Sequence, residues 1–273
     1  MRICCLGSGS SGNSVVVEAP GTKVLVDAGF SARDLEHRLG MVGVDPRQLD
    51  AIIITHDHTD HTRGVGVFAR RHGTLIHLTK LTYEACRTLF RGEERTQTYA
   101  VAQPFIVGGL RVEPFLTAHD AADPVAVALV DVATGARLGI ATDLGRPTAG
   151  VRYALSNCDF LVLEANHDET MLRTSVYPRS VQNRIASSHG HLSNHAAAHF
   201  AVELAHPRLA GVLLAHLSIR CNDPALAREV VGNALARAGW RGWLDVAKQD
   251  APGPWLDVEA LRKRCGPGQL SLL

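Results

Sequence analysis

The chain reads as an α/β protein built from two β-sheets packed face to face with helices outside. Three observations predict this: strand-like and helix-like runs interleave through both halves, the composition supports a large core, and no linker divides the chain. Hydrophobic residues make up 46% and charged residues 20% of 273 positions, a balance that excludes global disorder. Neither a low-complexity segment nor a short-period repeat interrupts the pattern, so one domain over residues 1–273 is expected.

Taken in order, residues 2–6, 15–19 and 22–26 read as three strands with tight links, a meander entered through a Gly/Ser loop. Ser31 is placed to cap a helix through Leu39, with Leu35 and Leu39 four residues apart and Gly40 to stop it. Residues 51–55, AIIIT, form a β-branched run of the kind buried on both faces, and lead directly into HDHTDH. Helices are expected at 64–72 and 81–91 around a strand at 75–78, then strands at 98–102, 110–116, 125–130 and 138–141. A helix at 149–156, a strand at 160–163, a helix at 194–204, a strand at 211–215 and a helix at 224–238 follow. The last strands, 243–247 and 255–258, are expected to be joined by an Ala-Pro-Gly-Pro turn.

Histidine is the compositional outlier, with 14 in a chain of only 5% aromatic residues. The six cysteines contain no CxxC pair, which excludes a zinc-finger spacing or a disulfide framework. A formal net charge of +1 excludes a bulk polybasic binder, so any nucleic-acid contact must come from a local patch. The N-terminus lacks a signal-type apolar core, and the longest apolar runs fall short of the roughly 20 residues a membrane span needs. A cytoplasmic protein without membrane contact is therefore expected; nothing in the sequence specifies an oligomeric state.

His56, His58, Asp60 and His61 form an HxHxDH cluster immediately after a buried strand. Residues two apart on an extended segment project to one side, so His56 and His58 can address one ion, and Asp60 and His61, a turn later, a second. An ordinary core histidine explains a lone imidazole, but a solvated loop has no need of three histidines and two aspartates in six residues. One cluster cannot complete two coordination shells, and candidate partners stand after other strands: His119, Asp143 and His216.

THDHTDH, TAHD, ATDLG and LAHLS, in that order, resemble the metallo-β-lactamase fold superfamily, which implies a four-layer αββα sandwich. The resemblance implies that His56, His58 and His119 hold one ion, that Asp60, His61 and His216 hold the other, and that Asp143 bridges them. Two divalent cations roughly 3.5–4 Å apart bring a shared water toward ionisation at neutral pH, giving a bridging hydroxide as nucleophile with Asp60 among the catalytic groups. The nitrogen and oxygen donors suit zinc, with manganese or iron as alternatives. DAG matches the superfamily's first motif, so Asp27 is expected behind the HxHxDH loop.

LEANHD, SHGHLSNHAAAHF and LAHLSIRCNDP look like the phosphodiesterase branch of that superfamily, which includes the tRNA 3′-processing endonucleases. With the opening GSGSSGNS the chain is most similar to the bacterial YycJ/WalJ-like family, which implies a nuclease, DNA favoured over RNA, and an exonuclease. In that reading His191 protonates a leaving oxygen or holds a phosphate oxygen, against the simpler role of capping the next helix, where Ser193 or Asn194 suffices. His189 could share the task. Glu164 is expected to orient a histidine, against a surface carboxylate.

Gly7, Gly9 and Gly12 satisfy GxGxxG, but the residues that follow are a strand, so a dinucleotide site is rejected. A backbone nest in which Ser10, Ser11 and Asn13 contact phosphate is the alternative to a plain turn. Residues 62–95 carry a net charge of +4 and residues 171–191 a net of +3, including Arg179 and Arg184. These are either solvated helix faces or a groove that tracks phosphates. Two other functions are weighed: a glyoxalase II or lactonase type of small-ester hydrolase, which does not require GHLSN or these arginines, and a metal-stabilised scaffold or flavodiiron-like partner, which the intact ligand set disfavours.

Overall fold

The computed structural model describes residues 1–265. The first sheet begins with β1 (Arg2–Gly7), β2 (Ser14–Ala19) and β3 (Thr22–Val26), an antiparallel meander as the short links predict. A helix, α1 (Ala32–Met41), follows behind the Ser31 cap, whose side chain accepts from the Asp34 N–H. The buried strand β4 (Ala51–Ile53) then runs parallel to β3. A single turn, α2 (Thr59–Thr62), and α3 (Val65–His72) lead to β5 (Leu75–Thr79), α4 (Lys80–Ala85) and β6 (Thr96–Tyr99). The helix expected at 81–91 is shorter: it ends at Ala85, capped by Cys86, and a 3₁₀ turn at Arg87–Leu89 follows.

The second sheet is built from β7 (Phe105–Val107), β8 (Leu110–Leu116), β9 (Val125–Asp131) and β10 (Arg137–Ala141), all antiparallel, then β11 (Phe160–Glu164) and β12 (Gly211–Ala215), parallel to β10. Its crossovers carry α5 (Ala149–Leu155), α6 (Glu169–Thr174), α7 (Arg179–Ile185) and α8 (Asn194–Leu204). After α9 (Pro224–Arg237) the chain adds β13 (Trp243–Val246) to this sheet, returns to the first sheet as β14 (Leu256–Asp257) beside β1, and continues as α10 (Val258–Cys265). The two final strands therefore sit in opposite sheets, not in one hairpin, because each pairs with a free sheet edge: β13 with β12, β14 with β1. Val258, expected in the strand, begins α10. The helices α6 and α7 have no counterpart in the sequence reading, where residues 169–185 stand out only by charge.

Three apolar layers give the αββα order. Alternate residues of β4 and its extension divide between them: Ile53 packs with Val24, Val127, Leu138 and Phe160 between the sheets, while Ile52 and Ile54 pack outward with Leu35, Leu39 and Phe68 under α1 and α3. The outer face of the second sheet is closed by Leu161 and Leu163 against Phe200, Leu204, Val231 and Leu235 of α8 and α9. Both faces of the central strands are dry, which is why their sequences read as unbroken apolar runs. No described helix is long and apolar enough to cross a membrane.

Candidate metal centre

Strand direction brings the predicted ligands together. β1, β3 and β4 run one way in the first sheet, and β8, β10, β11 and β12 share a direction in the second. Their C-terminal ends therefore deliver the 8–13 loop, Asp27, the HxHxDH loop, His119, Asp143, Glu164 and His216 to one edge, where open α/β sheets place their sites. Donor atoms of His56, His58, His119 and Asp143 lie within 4.8 Å of one another, and so do those of Asp60, His61 and His216.

Four of the five imidazoles are aimed by a partner on the other nitrogen. His61 Nδ1 donates to Asp27 Oδ2 (2.7 Å), which leaves Nε2 3.1 Å from Asp143 Oδ2. His216 Nδ1 donates to Glu164 Oε1 (2.9 Å), with Nε2 3.3 Å from Asp60 Oδ2. His119 Nδ1 donates to the Gly190 carbonyl (3.1 Å), and its Nε2 stands 3.3 Å from His58 Nδ1. His56 Nδ1 meets the Thr55 hydroxyl at 3.0 Å. These anchors fix tautomer and ring direction, as metal-binding histidines require. Asp57, the loop's other aspartate, faces away and accepts the Ala122 N–H.

Asp27, Asp143 and His216 hold left-handed backbones, with φ of 63°, 58° and 56°. Such residues cost on the order of 1–3 kcal/mol each and persist where surrounding structure over-determines them. Gly29 makes a different demand: a Cβ there would come 1.7 Å from the Asp60 carbonyl oxygen, so the DAG turn must be bare for the metal-loop backbone to pass.

Glu164 is the anchor of the second half. It is fully buried; Oε1 accepts from Asp143 N, His191 Nδ1 and His216 Nδ1, and Oε2 from the Leu144 and Leu192 N–H groups. Burial pushes its carboxyl up, but the two imidazoles overcome this and hold it at about 2. Burial likewise opposes charge on His216, yet Asp143, Asp60 and Glu164 lift it to about 10. Four carboxylates thus make a field that demands positive charge. His56 Nε2 and Asp143 Oδ2 are buried without hydrogen-bond partners. Orphaned donor atoms converging in a strongly negative, nitrogen- and oxygen-lined pocket fit divalent cations.

The pocket opens into a cavity of about 280 Å³ lined by Ser10, Asp60, Asp143, Tyr177, Arg184, His191 and His216. Arg184 is held there by Asp120 Oδ2 at 2.6 Å. Other expected phosphate contacts are engaged elsewhere. Asn13 is buried, tied to Ser8 and Gly9, with Nδ2 3.3 Å from Asp60 Oδ2. Ser11 uses its N–H on Gln249, and Arg179 lines a neighbouring cavity. Among the arginines of 62–95, Arg70 pairs with Glu94 and Arg71 with Glu36. His189 is exposed, beside Ser188. The sequence reading missed Thr55, whose hydroxyl links Asp27, His56 and His61, and Asn166, which holds the His216 carbonyl. Both stood inside motifs already singled out, Thr55 at the head of THDHTDH and Asn166 within LEANHD, but neither was given a role.

Comparison with known proteins adds a family. The beta-lactamase superfamily domain matches residues 22–216. The chain is 32% identical over 242 residues to exodeoxyribonuclease YycJ of Bacillus anthracis, covering 88% of this chain and 91% of that protein. It is 33% identical over 237 residues to exodeoxyribonuclease WalJ of Streptococcus pneumoniae, covering 85% and 87%. Among solved structures, the metallo-beta-lactamase fold protein YhfI of Bacillus subtilis superposes with a TM-score of 0.72 at 18% identity, over 94% of this chain and 99% of that one.

Proposed function

This chain belongs to the beta-lactamase superfamily and is a hydrolase of the metallo-β-lactamase fold, and from that premise we propose a dinuclear phosphodiesterase that degrades DNA from a strand end. The observation that carries the reading is the convergence of two clusters of ligand atoms beside Asp143, under a rim of His191 and Arg184. The names of the two relatives, both exodeoxyribonucleases, support DNA as the substrate and an end as the starting point.

In this reading His56, His58 and His119 would hold one ion, Asp60, His61 and His216 would hold the other, and Asp143 would serve both; zinc would suit the donors, as manganese or iron would. Two such cations supply Lewis acidity to the phosphoryl group and favour ionisation of water near neutral pH. The chain does the rest. His191 gives Nδ1–H to Glu164 (2.8 Å), which turns its Nε2 toward the rim as the group that passes a proton to the departing oxygen. Arg184, oriented by Asp120, holds a non-bridging phosphate oxygen at the rim. Asn13 steadies Asp60 from the Gly/Ser loop.

End-labelled single-stranded DNA, duplex DNA and RNA, each offered with zinc, manganese and iron, test the proposal alongside Asp60→Ala. The expected result is stepwise shortening of DNA by the wild type and none by the variant, with the variant's circular dichroism unchanged. A protein carrying two ions that cuts no nucleic acid but turns over a thioester or lactone overturns the reading.

A further inference from the structure

We infer that a second cavity, behind the His191 ring, receives the terminal phosphate of the strand being degraded; this deepens, and rests on, the phosphodiesterase reading. The cavity, about 430 Å³, lies between α6, α7 and the first turn of α8. His191 lines both cavities, and its ring centroid is 5.1 Å from that of His119 and 5.1 Å from that of His216. A strand end seated there has its nearest linkages beside the metal centre.

The wall has the chemistry of a phosphomonoester site. Arg173 and Arg179 line it, and neither takes part in an ion pair among the described residues, whereas Arg184 and Arg152 nearby are each matched to a carboxylate. Arg179 Nη1 is steadied by Gln182 Oε1 (3.3 Å), and buried Gln182 is fixed by the carbonyls of Ser175 and Tyr177. His167, only 2% exposed, is part of the same wall, and its buried Nδ1 has no partner. A polar ring held without a partner is costly unless a ligand or water completes it. The lining carboxylate Glu169 accepts the Ser193 hydroxyl on Oε1 at 2.9 Å, and His195 Nδ1 stands 4.0 Å from its Oε2. Two guanidinium forks with one imidazole match the three oxygens and double charge of a terminal phosphate better than the two free oxygens and single charge of an internal linkage.

The test separates end recognition from cutting. Full-length, metal-loaded protein is titrated with one short single-stranded sequence joined by uncharged, cleavage-resistant methylphosphonate linkages and bearing a 5′-phosphate, a 3′-phosphate or two hydroxyl ends. One phosphorylated end should bind about tenfold or more tightly than the hydroxyl form, as expected for charge-assisted bidentate contacts. In Arg173→Gln/Arg179→Gln, two exposed positions whose replacement leaves the core untouched, that preference should fall to within about twofold. Absence of any end preference in the wild type overturns the inference. So does a preference that survives in the double variant, since the metal centre would then be reading the phosphate. Failure of the phosphodiesterase reading appears separately, as natural DNA left uncut while the end preference persists.

Discussion

The HxHxDH loop and the strand ends of the second sheet build one centre by opposite means. In the loop, four donor residues lie within one turn of chain, and Asp27 with Thr55 braces them from behind. The second sheet contributes single donors from separate turns, His119, Asp143 and His216, with two of these on left-handed backbones. Glu164 unites the turns of Asp143, His191 and His216. A chelating loop carries much of its geometry in local chain conformation, whereas scattered donors are only as well placed as the buried group that joins them.

The most damaging way to probe this contrast is Asp143→Asn, at the residue where the two halves meet. Asparagine tolerates the left-handed backbone and keeps the shape, so the change removes charge alone. With each ion contributing several kcal/mol of charge stabilisation, turnover should drop about 10⁴-fold or more and metal content should fall below two ions per chain. Elemental analysis and kinetics check both; two ions retained with unimpaired turnover would mean that the halves do not share this carboxylate.

His191→Ala should come next, because it removes a group of the second half that is anchored by Glu164 but lies outside the seven proposed ligands. Loss of a general acid typically costs 10²–10⁴-fold, here with both ions still bound. The loss should be large on DNA and small on an activated aryl phosphodiester, whose leaving group needs no proton. Equal losses on both substrates would instead assign His191 to binding.

The smallest effects make the sharpest comparison. Glu164→Gln and Asp27→Asn each weaken an anchor of metal-facing groups, and such changes usually lower metal affinity by about 10–100-fold. Glu164 should stand near the upper end, because an amide nitrogen would face N–H donors that now come from three segments, while Asp27 supports His61 and Thr55 alone. Competition with a chromophoric chelator ranks the two. A greater loss in Asp27→Asn would invert the comparison and make the loop the more dependent half.

Much of this was legible locally. AIIIT announced a doubly buried strand, HDHTDH a dense cluster of donor side chains and Ser31 a helix start, because side-chain alternation, donor spacing and capping act over a few residues and need no partner from afar. The same scale explains why TAHD, ATDLG and LAHLS marked His119, Asp143 and His216 once the strands before them were read. Long-range packing decided the remainder. The sequence left Glu164 open between orienting a histidine and lying on the surface until β10, β11 and β12 aligned three turns around it, and Asn13 looked like a phosphate contact until the HxHxDH loop closed over it. Trp243 and Leu256 belong to different sheets because each strand pairs with the edge it reaches, and the cavity behind His191 exists only because α6 and α7 fold against the start of α8. Donor type and spacing are properties of a short stretch of chain; apart from the bond between Thr55 and His56, the hydrogen bonds that aim the donors join residues dozens of positions apart, and only the packed sandwich brings those together.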